Sequence, residues 1–298
     1  MKEVKNDIPQ NDERIVVEGR IYTDQFPVVL LSRTQYIYAP TDLSSYLNSF
    51  IADAEVFMTI DSDSVQLFPM STSDLPNESL YRVCEILEMQ PHEVKLLPIK
   101  VYTTQNPNFV GRLGKKHRLS IRHQERYIYG ETSLLNPIGL ANLYWKPSLE
   151  NSEYGTSVAN FTDPTSMNDA YFWEVKRIHF FEGKSIDKYF KRPYGGYIRD
   201  KYWNGMYRTL EYENPLSRKD TTHLEEFKRS YRKFDSVVIR FSKIEYQIYE
   251  FFRTRREQMD NQGSPFASPI NVKSNLKGPA VGIWAGFSPY YDTLFCIP

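Results

Sequence analysis

The chain has 298 residues, and its 37 Lys plus Arg are balanced by 37 Asp plus Glu. At ~150 residues per domain this suggests about two domains, long enough to bury a core without disulfide or metal staples. Zero net charge argues against a nucleic-acid binder, which needs excess positive charge to displace counterions from phosphates, and no apolar run approaches the ~20 residues of a membrane-spanning helix.

Aromatic residues make up 15% of the chain, with 22 Tyr, 18 Phe and 4 Trp. Such residues favour pleated, half-buried surfaces, so a β-rich fold is expected. Ile15 to Tyr22 and Pro27 to Arg33 read as a hairpin. Thr41 to Phe50 is more polar and fits one or two helical turns or a loose loop. Ala54 to Ile60 and Val65 to Phe68 flank the turn Asp61-Ser62-Asp63-Ser64, and Arg82 to Met89 and Val94 to Tyr102 read as further strands. Lys116 to His123 alternates, with Leu119 and Ile121 on one face and Arg118, Ser120 and Arg122 on the other, before a turn into Tyr127 to Thr132. About eight short strands at this spacing suggest a β-sandwich.

Leu134 to Gly155 is broken by Pro137, Gly139, Pro147 and Gly155, which sets a domain boundary near Asn136. The expected domains are therefore 1–136 and 137–298. In the second, Tyr171 to Phe181 and Ser236 to Phe241 read as strands, and Gly183 to Thr209 as a long structured loop or hairpin. One strong helical pattern follows, over about 243–260. Ser242 and Glu245 fit a capping box, and Ile244, Ile248, Phe251 and Met259 fall mostly on one face. Gly263 and Pro265 end it, and Val281 to Phe295 reads as a closing strand or two.

Chemistry-bearing residues are sparse. Cys84 and Cys296 are too far apart in sequence for a metal motif or disulfide framework and read as two buried, unpaired thiols. His92, His117, His123, His179 and His223 show no metal-ligand spacing and read as ordinary surface or strand-end histidines. Gly286-Phe287-Ser288-Pro289-Tyr290 lacks the second Gly and following helix of a nucleophile elbow, and Gly195-Gly196 opens no phosphate cradle. Asp187 and Glu225-Glu226 default to solvated charge. No catalytic residue, metal or cofactor is expected.

Tyr189 to Arg208 stands apart. It interleaves Tyr189, Phe190, Tyr194, Tyr197, Tyr202, Trp203 and Tyr207 with Lys191, Arg192, Arg199, Lys201 and Arg208. Amphipathic aromatics beside Arg are what binding hot spots use, and they also stack on sugars or bases. Tyr197, Arg199, Tyr202 and Trp203 are the candidate ligand- or partner-binding residues; the competing reading is that half of the segment's aromatics pin a long loop to the core.

Three groups of residues carry a family resemblance. They are Arg14 to Ile21 with Pro27 to Gln35; Phe161-Thr162-Asp163-Pro164 with Tyr171 and Tyr202-Trp203-Asn204-Gly205; and Pro265 to Pro269 with Ser274-Asn275-Leu276 and Val281 to Phe287. In this order and spacing the chain resembles the Bacteroidota lipoproteins grouped as domain of unknown function 4249. The resemblance spans about Arg14 to Phe287. It implies a lipid-anchored outer-membrane or cell-surface protein, often encoded beside a TonB-dependent transporter, with an immunoglobulin-like N-terminal half.

The polar segment Met1 to Pro9 lacks the apolar stretch of a signal peptide. Such a start fits either a cytoplasmic protein or one whose leader, with its lipid-acceptor Cys, preceded Lys2. The expected fold is mainly β: an N-terminal immunoglobulin-like sandwich and a C-terminal β-rich domain with one helix. The expected role is a non-catalytic accessory to a TonB-dependent transporter in nutrient binding or uptake. A structural or adhesive surface module, or a hydrolase with an unrecognised carboxylate site, are the alternatives.

Overall fold

A computed structural model describes residues 13–34, 43–181, 183–215, 225–261 and 271–297. Met1 to Pro9, Gln35, His223, Gly263 and Pro265 to Pro269 lie outside the described residues.

The N-terminal half contains β1 (Ile15–Tyr22), β2 (Val28–Arg33), α1 (Leu43–Asn48), β3 (Glu55–Ile60), β4 (Asp63–Ser71), α2 (Asn77–Leu87), α3 (Pro91–Lys95), β5 (Lys100–Thr103), β6 (Lys116–His123) and β7 (Arg126–Ser133). The C-terminal half contains β8 (Ala141–Pro147), β9 (Tyr154–Thr162), β10 (Ala170–Arg177), β11 (Phe180–Phe181), β12 (Lys184–Ser185), β13 (Tyr197–Arg199), β14 (Tyr207–Tyr212), β15 (Tyr231–Arg232), β16 (Ser236–Ile244), α4 (Tyr246–Asp260), β17 (Leu276–Lys277) and β18 (Ala280–Phe295). The chain is mainly β.

One sheet of twelve strands runs β13-β10-β16-β18-β1-β2-β5-β4-β3-β6-β7-β17. Its hub is β18. Residues 280–287 of this strand pair in parallel with β1, and residues 288–295 pair antiparallel with β16. The sheet therefore continues across the expected boundary near Asn136, which falls between β7 and β8.

The N-terminal half is a rolled sheet. Val17 and Leu31 from one wall meet Met58, Ile121 and Ile128 from the other in a single apolar core. The roll closes where β18 meets β6 and β7. Gly286 N donates to Thr132 Oγ1 at 2.9 Å, and Trp284 Nε1 donates to the His117 carbonyl at 3.0 Å. This is the expected sandwich, with one wall completed by the C-terminal strand.

A second sheet, β14-β9-β15 with β8 on β9, covers one face of the C-terminal strands. Between the layers lies an aromatic core that includes Trp145, Phe161, Tyr171, Trp173 and Phe241. The opposite face is covered by α4, whose Ile248, Phe251 and Phe252 pack with Phe172, Ile283 and Phe287.

Several expectations need correction. The expected strand from Arg82 to Met89 is instead the last part of α2, which ends at Leu87: Leu80, Val83 and Cys84 form the helix's inner face, against Val28 and Leu30. A short apolar run does not separate a strand from a buried helix by periodicity. The signals were at the ends, where Pro76 precedes the helix and Glu88 stops it in the left-handed conformation, with φ 55°. The expected strand from Val94 to Tyr102 is split. Gln90 N bonds Glu93 Oε2 at 2.7 Å to start α3, and β5 begins only at Lys100.

Helix α4 begins at Tyr246, and no Ser242–Glu245 capping box forms. Ser242 stays in β16, while Glu245 Oε2 accepts from Thr132 Oγ1 and Ser133 N of β7, both at 3.0 Å. Met259 is exposed, so the buried stripe runs through Phe252 instead. The Pro- and Gly-broken stretch after Asn136 hides β8, a strand at the margin of its sheet with an irregular register between Ala141 and Tyr144, where Pro and bulges are tolerated.

Candidate functional site

The second group of motif residues forms one structural unit. Asp163 follows β9, Asp169 precedes β10, and Asp200 follows β13. The rung Ala170–Arg199 joins β10 to β13, so Asp169 and Asp200 come next to each other at the end of that pair. Asp200 N donates to the Asp169 carbonyl at 3.0 Å. One carboxylate oxygen from each of Asp163, Asp169 and Asp200 lies within 4.8 Å of the others. All three residues are buried, at 2%, 7% and 2% exposure.

Their partners are unevenly shared. Asp163 accepts from the Tyr171 hydroxyl and from Gly205 N at 2.9 Å. Asp169 Oδ2 accepts from Ser166 Oγ and from Lys243 Nζ, both at 2.6 Å. Lys243 is placed by register, opposite Tyr171. Asp200 Oδ2 is buried with no hydrogen-bond partner. Burial raises the Asp163 carboxyl above its ordinary pKa; Tyr171 and Gly205 pull it down, and the charges of Asp200 and Asp169 push it up again. Burial and the acceptor at Asp163 raise the Tyr171 hydroxyl, which stays a proton donor.

The four candidate binding residues separate into two kinds. Tyr202 is 80% exposed. Trp203 is partly buried, edge-on to Phe161 at 5.8 Å and stacked on Tyr171 at 6.1 Å. Tyr197 lies half-buried against Tyr249 at 6.0 Å. Arg199 Nη1 donates to the Tyr246 hydroxyl at 2.6 Å, so the guanidinium is held on α4. Trp203, Tyr197 and Arg199 thus fasten the segment to the body, and Tyr202 projects from it. Met206 and Tyr207, also exposed, continue the same loop. Asn204 Nδ2 donates to the Thr165 carbonyl at 3.2 Å, tying this loop to the one between β9 and β10.

Other sequence candidates are engaged inside the fold. The Asp187 carboxylate, buried at 2% exposure, is bonded by Arg177 Nε at 3.0 Å and Lys191 Nζ at 2.5 Å. It is not solvated charge. His117 and His123 both point inward from β6 with Leu119 and Ile121. His117 Nε2 accepts from Arg112 N at 3.0 Å, and His123 Nε2 lies 3.2 Å from Asp53 Oδ1. His179 Nε2 sits 2.9 Å from Asp235 Oδ1. His92 is exposed on α3. Ser288, 1% exposed, lies within β18 and is closed to a substrate. Gly195 and Gly196 form a turn after Pro193. Glu226 is exposed in a single helical turn. Cys84 and Cys296 are both free thiols and both buried.

Sequence spacing did not reveal the three aspartates as a set, because the sheet register joins them. It also missed a buried charge cluster. Arg240 of β16 bonds Glu174 Oε2 at 2.7 Å and Glu85 Oε2 at 3.0 Å. Arg82 bonds Glu85 at 2.6 Å. Tyr22 is flanked by Arg82 and Arg240, at 4.2 Å and 4.8 Å from its ring centroid. Burial alone would raise the Glu85 carboxyl; Arg240 and Arg82 outweigh it and hold the group at about 2.

No protein-family model matches this chain, and no curated protein does. Among solved structures it is similar to a crystal structure of bovine butyrophilin, with 8% identity over 78% of this chain and 92% of that one, at a TM-score of 0.17.

Proposed function

We propose that this chain is a non-catalytic binding protein of the cell surface: a lipoprotein held at the outer membrane by a lipid anchor, and an accessory to a TonB-dependent outer-membrane transporter in nutrient binding or uptake. The observation that carries the binding role is the contrast between adjacent residues. Trp203 is packed against Phe161 and Tyr171, while Tyr202 is 80% exposed. A large aromatic on a fastened loop offers contact area without the entropy cost of ordering the loop on binding.

The location and the transporter rest on the family resemblance of the motifs at Arg14, Phe161 and Val281. The hydrolase alternative draws little support. Asp187 is taken up by Arg177 and Lys191, and the three clustered aspartates are buried away from solvent.

The test is purification of the native protein from its own outer membrane. A TonB-dependent transporter is expected to copurify, and Tyr202→Ala is expected to weaken that association. A native pool confined to the cytoplasm overturns the location. Full transporter binding by the Tyr202→Ala, Tyr207→Ala double variant overturns the role of this face.

A further inference from the structure

We propose that Asp163, Asp169 and Asp200 form a divalent-cation site with calcium as the fitted occupant. The starting point is charge. Three carboxylates converge within 4.8 Å, each buried to 7% exposure or less. Among the described residues the cation bonded to them is Lys243, through Asp169. That leaves two negative charges without a counterpart in a desolvated site, an arrangement that costs far more than a surface cluster would. Asp169 and Asp200 also face each other across the end of a strand pair, where like charges repel.

The second observation is Asp200 itself. It is 2% exposed and its Oδ2 has no partner. A buried acceptor left open in this way calls for a donor or a cation. Tyr171, Gly205, Ser166 and Lys243 supply donors to Asp163 and Asp169, and none of them reaches Asp200 Oδ2.

The donor set selects the ion. All three ligands are hard carboxylate oxygens, which suit calcium, magnesium or manganese and not thiolate- or imidazole-preferring metals. Calcium–oxygen bonds of about 2.3–2.6 Å let ligand oxygens on one ion stand up to about 4.6–5.2 Å apart. The three carboxylate oxygens, all within 4.8 Å of one another, come inside that reach. Magnesium keeps most of its water and commonly takes one or two carboxylates. A bound calcium would lock the loop after β9 to the loop after β13, and so hold the base of the Tyr202 loop. The inference does not depend on what Tyr202 binds.

The experiment uses the full chain, stripped with a chelator and titrated with calcium, magnesium and manganese separately while thermal unfolding is followed. Terbium serves as a luminescent calcium substitute, sensitised through Tyr171 and Trp203. Calcium is expected to raise Tm by several degrees, more than magnesium does, and terbium emission is expected to saturate and to be displaced by calcium. Asp200→Asn is expected to weaken calcium binding at least ~10-fold.

Should Asp200→Asn fail to fold, Lys243→Gln replaces it: removing the competing ammonium is expected to tighten calcium binding severalfold. No response of the wild-type chain to any of the three ions overturns the proposal. So does calcium binding that Asp200→Asn or Lys243→Gln leaves unchanged, which places the ion elsewhere. Stability of Asp200→Asn above that of the calcium-saturated wild type, by the same margin with and without calcium, also overturns it, because the wild-type cluster then gains nothing from the ion.

Discussion

Glu85 on α2 and Arg240 on β16 are bonded at 3.0 Å although 155 residues separate them in sequence. Both are buried, and Arg240 also holds Glu174. The pair joins the helix of the N-terminal half to a strand of the C-terminal half. Removing one partner of such a pair strands a charge, at about 3–5 kcal/mol. Arg240→Met should therefore cost more than Glu85→Gln, because it takes from the buried Glu174 the guanidinium that holds it, whereas after Glu85→Gln Arg240 keeps Glu174 and the Gln amide oxygen can still accept from Arg82. Urea unfolding of both variants checks the order, and equal losses would contradict it. The depressed pKa of Glu85, about 2, also sets a pH window. Its stabilisation is complete above the ordinary value near 4.5 and lost as pH falls towards 2.

His117 predicts a separate loss at milder acidity. Burial lowers its pKa to about 4. Its Nε2 must stay an acceptor for Arg112 N, so protonation sets donor against donor. Below pH 6.5 the unfolded chain binds a proton that the folded one refuses. Stability should fall as pH drops from 6.5 towards 4, by about 3 kcal/mol. His179 acts with the opposite sign, since its hydrogen bond to Asp235 raises its pKa; its contribution is present below 6.5 and fades as pH rises. The check is denaturant unfolding across pH 4–8. His117→Gln should be less stable near neutrality and should lose the slope between 6.5 and 4.

Gly282 predicts a backbone failure. Its φ is +108°, and a Cβ there would stand 2.0 Å from the Val17 carbonyl oxygen. This is where β18 lies parallel to β1 and completes the N-terminal roll. Gly282→Ala should cost more than about 2 kcal/mol through strain and loss of register. Calorimetry measures it, and a Tm equal to the wild type's would refute the role assigned to this glycine.

The sequence made strands legible where one face is buried. Lys116 to His123 is the clearest case, since its alternation matches the burial of Leu119 and Ile121. It hid α2, because Val83-Cys84-Glu85-Ile86-Leu87 is as apolar as a buried strand and the helix signals were at its ends. It hid β8 behind Pro and Gly, which edge strands tolerate. The aspartate cluster was only half visible. Asp163 sits in a recognisable motif, but its meeting with Asp169 and Asp200 depends on the pairing of β10 with β13, a long-range register that local pattern does not encode. The same holds for Glu85 and Arg240.

Adjacent residues on the 200–207 loop should respond in opposite ways to truncation. Trp203 is packed edge-on to Phe161 and over Tyr171, with the Arg208 guanidinium 5.5 Å from its ring centroid. Trp203→Ala should leave a cavity beside the Asp163 unit and cost about 2 kcal/mol, less than a fully buried Trp would. Tyr202 is 80% exposed, and Tyr202→Ala should change stability by no more than about 0.5 kcal/mol. If the loop presents a binding residue, Tyr202→Ala should nevertheless weaken partner association about tenfold or more, within the range of interface hot spots. Thermal unfolding and a binding isotherm on the same two variants separate the roles. Equal destabilisation by both substitutions would mean that Tyr202 serves the fold and not a partner.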